Sequence, residues 1–223
     1  MKKIVTALAF MVALTPAVAF AEPVQADRPT LTLTADTTNV GDFVIEAGIS
    51  YARQETFAFP ITLKTGITDW MEVRIGSNVF TVSTDGDVNG SPVALGVKFQ
   101  FLDIDHLALG LYSAARINYD GDVDVNARAL FNVSATEWLT IPINIGTDIV
   151  TADVDRSHVL FAGGPNVRII ESFGEAGPVN VFAEVSYAVL VSGDKGAGPL
   201  AGVAGATYAP ADNAIIEFSN GDL

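Results

Sequence analysis

Nine charged residues fall at even-numbered positions of otherwise uncharged, alternating segments: Glu46, Lys64, Glu72, Arg74, Lys98, Arg116, Arg128, Arg168 and Glu184. They share these positions with Gly and Asn, including Gly48, Gly76, Gly96, Asn132 and Asn144. Isolated ions of both signs among small residues describe a confined polar surface, where charges either pair or select a passing solute. Six of the nine are basic. An open lumen lined by them would favour anions, whereas the same ions paired and packed would plug a narrow barrel.

Other candidate chemistry is weaker. Asp85, Asp87, Asn89 and Gly90 mimic the start of a D-x-D-x-N-G calcium loop, with hard oxygen ligands at alternating positions. The twelfth position is Gly96 instead of a bidentate Glu, so acidic loop tips are the default reading and calcium the weaker one. Hydrolysis would need a nucleophile, a base and an orienting group together. The two histidines are His106 and His158. Ser157 precedes His158 directly, and adjacent residues of a strand point to opposite faces. We therefore expect no enzyme and no cofactor. The absence of Cys excludes a thiolate metal site, and a net charge of −14 makes nucleic acid a poor partner.

The elements that must hold the inward charges are strands. After Ala21 no window shows a 3.6-residue apolar repeat of helical length. Alternation instead predicts nine strands, at 43–51, 57–67, 71–79, 93–101, 107–117, 125–133, 139–147, 159–169 and 179–189, and two weaker ones near 200–208 and 214–219. In the first nine, the odd-numbered positions are almost all apolar and none is charged. A soluble sandwich would show Lys, Glu and Thr on its wet face. The Gly and Asn seen here, with strands of the length that crosses a bilayer at a tilt, favour an outer-membrane barrel.

The ends of the chain add to this. Met1-Lys2-Lys3, the apolar stretch from Ile4 to Leu14, Pro16 and Ala19-Phe20-Ala21 read as a signal peptide over residues 1–21. Residues 22–42 would then be a periplasmic segment and 43–223 the barrel. Connections alternate between tight ones, such as Thr68-Asp69-Trp70 and Ala135 to Trp138, and longer acidic ones. This places the tight turns in the periplasm, with Trp70 and Trp138 at one membrane boundary and Tyr51, Phe57 and Phe59 near the other.

Asp27-Arg28-Pro29, then TTNVGDFVIEAG at Thr37 to Gly48 and FPITLKTGITDWMEVRIG at Phe59 to Gly76, resemble the outer-membrane transporter family named for the MetA pathway of phenol degradation. Glu46 and Gly48 match its first strand, and Gly66, Thr68, Asp69, Glu72, Arg74 and Gly76 its first hairpin. The match covers about residues 27–76. It implies a barrel of about twelve strands that passes hydrophobic compounds.

The expectation is an all-β, antiparallel, up-and-down transmembrane barrel of ten to twelve strands in the outer membrane, with lipid and a small solute as partners. Its expected function is passive transport of small, apolar or aromatic solutes. The alternative is a non-conducting structural or surface-interaction barrel with an ion-paired lumen and cation-binding acidic loops. A chain ending at Phe218 to Leu223 leaves eleven strands, an odd number. A lost twelfth strand ranks first as the explanation, ahead of ten strands with a loose tail or a seam patched by Leu31 to Asp36.

Overall fold

The computed structural model describes residues 32–52, 56–83, 88–89, 92–118, 121–151, 157–172, 177–191, 197–211 and 214–222. Their regular structure is entirely β: β1 (Phe43–Ala52), β2 (Thr56–Thr68), β3 (Met71–Ser83), β4 (Val88–Asn89), β5 (Val93–Ile104), β6 (Leu107–Ile117), β7 (Val123–Thr136), β8 (Leu139–Ile149), β9 (His158–Gly163), β10 (Asn166–Ile170), β11 (Val179–Leu190), β12 (Ala197–Ala211) and β13 (Ala214–Asp222). β4 pairs with the end of β3 and stands off the main order. β9 and β10 both lie between β8 and β11, so they form one stave broken at Gly164-Pro165. Proline brings no N–H to the ladder, and a Cβ on Gly164 would stand 1.9 Å from the Ala183 carbonyl oxygen. This dipeptide therefore interrupts the pairing without pushing β11 away.

Eleven staves result, and they close. β13 lies against β1 over eight residue pairs, from Ile45↔Ala214 to Ala52↔Gly221, and the two run parallel. An up-and-down chain reverses at every stave, so an odd number brings first and last into the same direction. The parallel seam closes the sheet without the lost twelfth strand that the even-number expectation called for. Residues 32–36 do not patch it.

Alternation sorts the two faces in the sense opposite to a water-soluble domain. Val185, Phe101 and Leu200 are 60%, 67% and 72% exposed, while Glu72 and Lys98 are 0% exposed. Two local changes of register modify the simple odd-out rule. Between Gln100 and Leu102 the β5–β6 ladder shifts by one residue, which turns Leu102 and Ile104 outward. The strand thus runs on to Ile104, and the connection expected over 102–106 contracts to Asp105-His106. In β12 and β13 the parity is reversed: Val203, Thr207, Ile215 and Glu217 are buried, and Leu200 and Phe218 are exposed.

Two of the tight turns are built alike. Thr68 Oγ1 accepts the Trp70 N–H at 3.4 Å, and Thr136 Oγ1 accepts the Trp138 N–H at 3.3 Å. A hydroxyl two residues back closes each turn. Each follows a register shift, at Gly66/Thr68 and Ser134/Thr136.

Candidate functional site in the barrel lumen

Pairing between β2, β3 and β5 assembles an ion cluster on the inner wall. Lys64 stands opposite Arg74, Gly66 opposite Glu72, and Glu72 opposite Lys98. Two adjacent cations are held there by carboxylates on either side. Lys64 Nζ donates to Glu46 Oε1 at 2.9 Å, and Arg74 places Nη2 3.9 Å from Glu46 Oε2 and Nε 3.5 Å from Glu72 Oε1. Lys98 Nζ is 3.7 Å from Glu72 Oε1. Gly96 makes the space for this arrangement, because a Cβ there would lie 2.6 Å from the Tyr112 ring. Arg74 stacks its guanidinium over that ring at 5.4 Å, a cation–π contact. All five ions are at most 6% exposed, so each depends on its neighbours for the solvation it has lost.

The cluster anchors a length of chain inside the barrel. Residues 32–38, with no regular structure, run over the inner wall from β3 to β11. Thr38 donates its N–H and its hydroxyl to Glu72 Oε2, at 2.9 and 2.7 Å. Thr37 Oγ1 bonds Gln100 Oε1 at 3.1 Å and the Asp69 carbonyl at 3.2 Å. Asn132 Nδ2 donates to Asp36 Oδ2 at 2.9 Å, and Lys98 Nζ to the Thr34 carbonyl at 3.4 Å. Asn144 bonds both the N–H and the carbonyl of Leu33, and Glu184 accepts the N–H and hydroxyl of Thr32 at 3.3 and 2.5 Å. Leu33 and Ala35 complete an apolar cluster with Ala108, Tyr112, Ala114 and Leu130.

Two glycines let the segment pass this close. A Cβ on Gly66 would lie 2.1 Å from the Thr38 carbonyl oxygen, and one on Gly110 3.3 Å from that of Ala35. Residues 22–42 were expected to stay outside the barrel. Of these, 32–38 are inside, because the wall offers partners for their main chain and the apolar cluster takes Leu33 and Ala35.

The remaining inward charges are distributed differently from the sequence expectation. Glu184 is buried beside Thr32. Arg128 Nη2 lies 3.8 Å from Asp148 Oδ2, which is 3.1 Å from His158 Nε2. Arg116 and Arg168 are exposed. Arg116 is paired in register with Asp124 near the long-loop end, and the Arg168 N–H reaches the Trp138 carbonyl at the short-turn end. Glu217, which the weak alternation of β13 concealed, is 4% exposed inside the barrel. Among the described strand residues the buried ions are therefore four carboxylates (Glu46, Glu72, Glu184, Glu217) and three cations (Lys64, Arg74, Lys98). Of the basic excess expected for the lumen, Arg116 and Arg168 are exposed near strand ends, and Arg128, in the middle of β7, is paired with Asp148.

Trp70 and Trp138 are each 53% exposed at equivalent turns. Trp70 stacks on Phe99 at 5.9 Å, and Phe99 on Phe101 at 6.4 Å, forming an outward aromatic ladder. Phe57 is exposed, Phe59 half-buried, and Tyr51 pairs with Phe57 along β1–β2. Of the calcium candidates, Asp85 and Asp87 lie outside the described residues, and Asn89 is described through the pairing of β4 with Thr81. His158 faces Asp148, whereas Ser157 Oγ accepts the Val150 N–H at 3.0 Å. No protein-family model, curated protein or solved structure matches the chain.

Proposed function

We propose that the chain is an outer-membrane barrel held closed by its own residues 32–38, and that small solutes cross it when this segment leaves the lumen. Membrane placement is supported by the inverted surface, apolar outside and polar within, and by staves long enough to span a bilayer at a tilt. The closed state rests on one observation: Glu72, Lys98 and Asn144 are 0% exposed where the segment crosses them. With the segment gone, Tyr112, Leu130, Ala108 and Ala114 would offer an apolar surface beside the polar Asn132 and Asn144. Such a lining suits small solutes with an apolar or aromatic body and a polar edge, the class that the family resemblance also implies.

Planar-bilayer recording tests the reading. The unmodified mature chain, folded and inserted, is expected to give no current steps above background. A variant with residues 32–38 replaced by alternating Gly and Ser is expected to give discrete steps. Steps of the same size from both proteins would overturn it.

A further inference from the structure

The inner wall holds residues 32–38 largely by the main chain. Glu184 accepts the Thr32 N–H, Asn144 takes both polar groups of the Leu33 peptide, Lys98 donates to the Thr34 carbonyl and Glu72 accepts the Thr38 N–H. These five main-chain atoms exist in any extended peptide without proline at the donor positions. Side-chain selection is narrower. Leu33 enters the cluster of Tyr112 and Leu130, and Ala35, 0% exposed, is enclosed in the same cluster with its main chain over Gly110, so a much larger side chain there would have to displace its neighbours.

We propose that this wall is a binding track for an extended peptide, of which residues 32–38 are the tethered occupant. Once they are unseated, the track takes a separate peptide with an aliphatic residue, then a small residue two positions on, and hydroxyl residues at either end. The proposal rests on the reading of 32–38 as the stopper. The own segment has the advantage of its tether, since linkage raises its effective concentration to the millimolar range. A competing peptide therefore binds measurably when the tethered copy is disabled.

The test uses the full mature chain carrying Ala35→Trp, in detergent, with folding checked by heat-modifiable mobility. The probe is a fluorescent synthetic peptide of residues 30–40. Its anisotropy is expected to rise saturably with protein, a peptide with Trp at the Ala35 position is expected not to bind, and adding Asn144→Leu to the protein is expected to weaken binding about tenfold. Absence of saturable binding, or equal binding of the Trp peptide, would overturn the track. If Ala35→Trp does not fold, the Gly-Ser replacement of residues 32–38 serves the same titration. Bilayer recording separates the two ideas. A conducting Ala35→Trp variant that binds no peptide refutes the track and leaves the stopper. Peptide binding alongside a conducting unmodified chain refutes the stopper and leaves the track.

Discussion

Asn144 grips the peptide of Leu33 from both sides: its Oδ1 accepts the Leu33 N–H at 2.7 Å and its Nδ2 donates to the Leu33 carbonyl at 2.9 Å. Both residues are buried, so each group lost leaves its partner without water. Asn144→Leu, similar in size, is expected to destabilise the seated segment by about 2 kcal/mol. Limited proteolysis measures this: cleavage within residues 32–42 should accelerate at least tenfold while the strands stay resistant. Unchanged cleavage would deny the grip its role.

Gly66 makes a second, steric prediction. Gly66→Val puts a Cβ where the Thr38 carbonyl oxygen now lies, whereas Gly76→Ala meets the Thr62 hydroxyl at 3.3 Å, which a rotation relieves. The first is expected to unseat the segment and the second to leave it in place. Single-channel recording distinguishes them, with steps from Gly66→Val and silence from Gly76→Ala.

The Glu72–Lys98 pair calls for a double-mutant comparison. Removing one buried partner strands the other, at a cost of about 3–5 kcal/mol, while replacing both by apolar groups is often neutral. Glu72→Leu and Lys98→Met are each expected to lower the urea midpoint strongly. The double variant is expected to recover much of the loss, though Thr38 and Thr34 would still lack their partners. A double variant as unstable as the sum of the singles would show that the two ions do not act as a pair.

Trp70 and Trp138 are the two tryptophans of the chain, and both are half-exposed at tight turns. Membrane placement puts them at the lipid–water boundary. In vesicles their fluorescence is expected to be quenched more by a quencher attached near the headgroup than by one at the acyl-chain end. The reverse order, or no quenching by either, would contradict that placement.

Much of this architecture is legible in the sequence because the side-chain period of a strand is two, and a wall with an apolar outer face and a polar inner one shows that period in pure form. Nine staves and seven of the buried or paired inward charges follow from it. Three features do not. The bulge at Phe101 and the reversed parity of β12 and β13 depend on register shifts, which leave no mark in hydropathy, so alternation alone gives neither Ile104 its place in β5 nor Glu217 its place on the inner wall. The parallel seam follows from an odd number of staves: the eleven strands are legible in the sequence, but the even-number pattern of single-chain barrels points to a lost twelfth strand and not to a parallel closure.

The occupied lumen is the largest gap. An inner wall of Gly, Asn and paired ions has the same pattern whether it meets water or a peptide. Gly66 and Gly110 look like ordinary small lining residues until the carbonyls of Thr38 and Ala35 are seen above them. Leu31-Thr32-Leu33-Thr34 carries a hint, since it alternates like a strand, but alternation alone suits a patch on the seam as well as a segment inside the lumen.

The most direct test of the closed lumen is the reactivity of one thiol. The chain contains no Cys, so Thr34→Cys introduces a single thiol of similar size at a position that is 5% exposed. With the segment seated, a membrane-impermeant maleimide is expected to modify Cys at this position at least a hundredfold more slowly in the folded barrel than after denaturation. Modification of the folded barrel at the rate of the denatured chain would contradict the account.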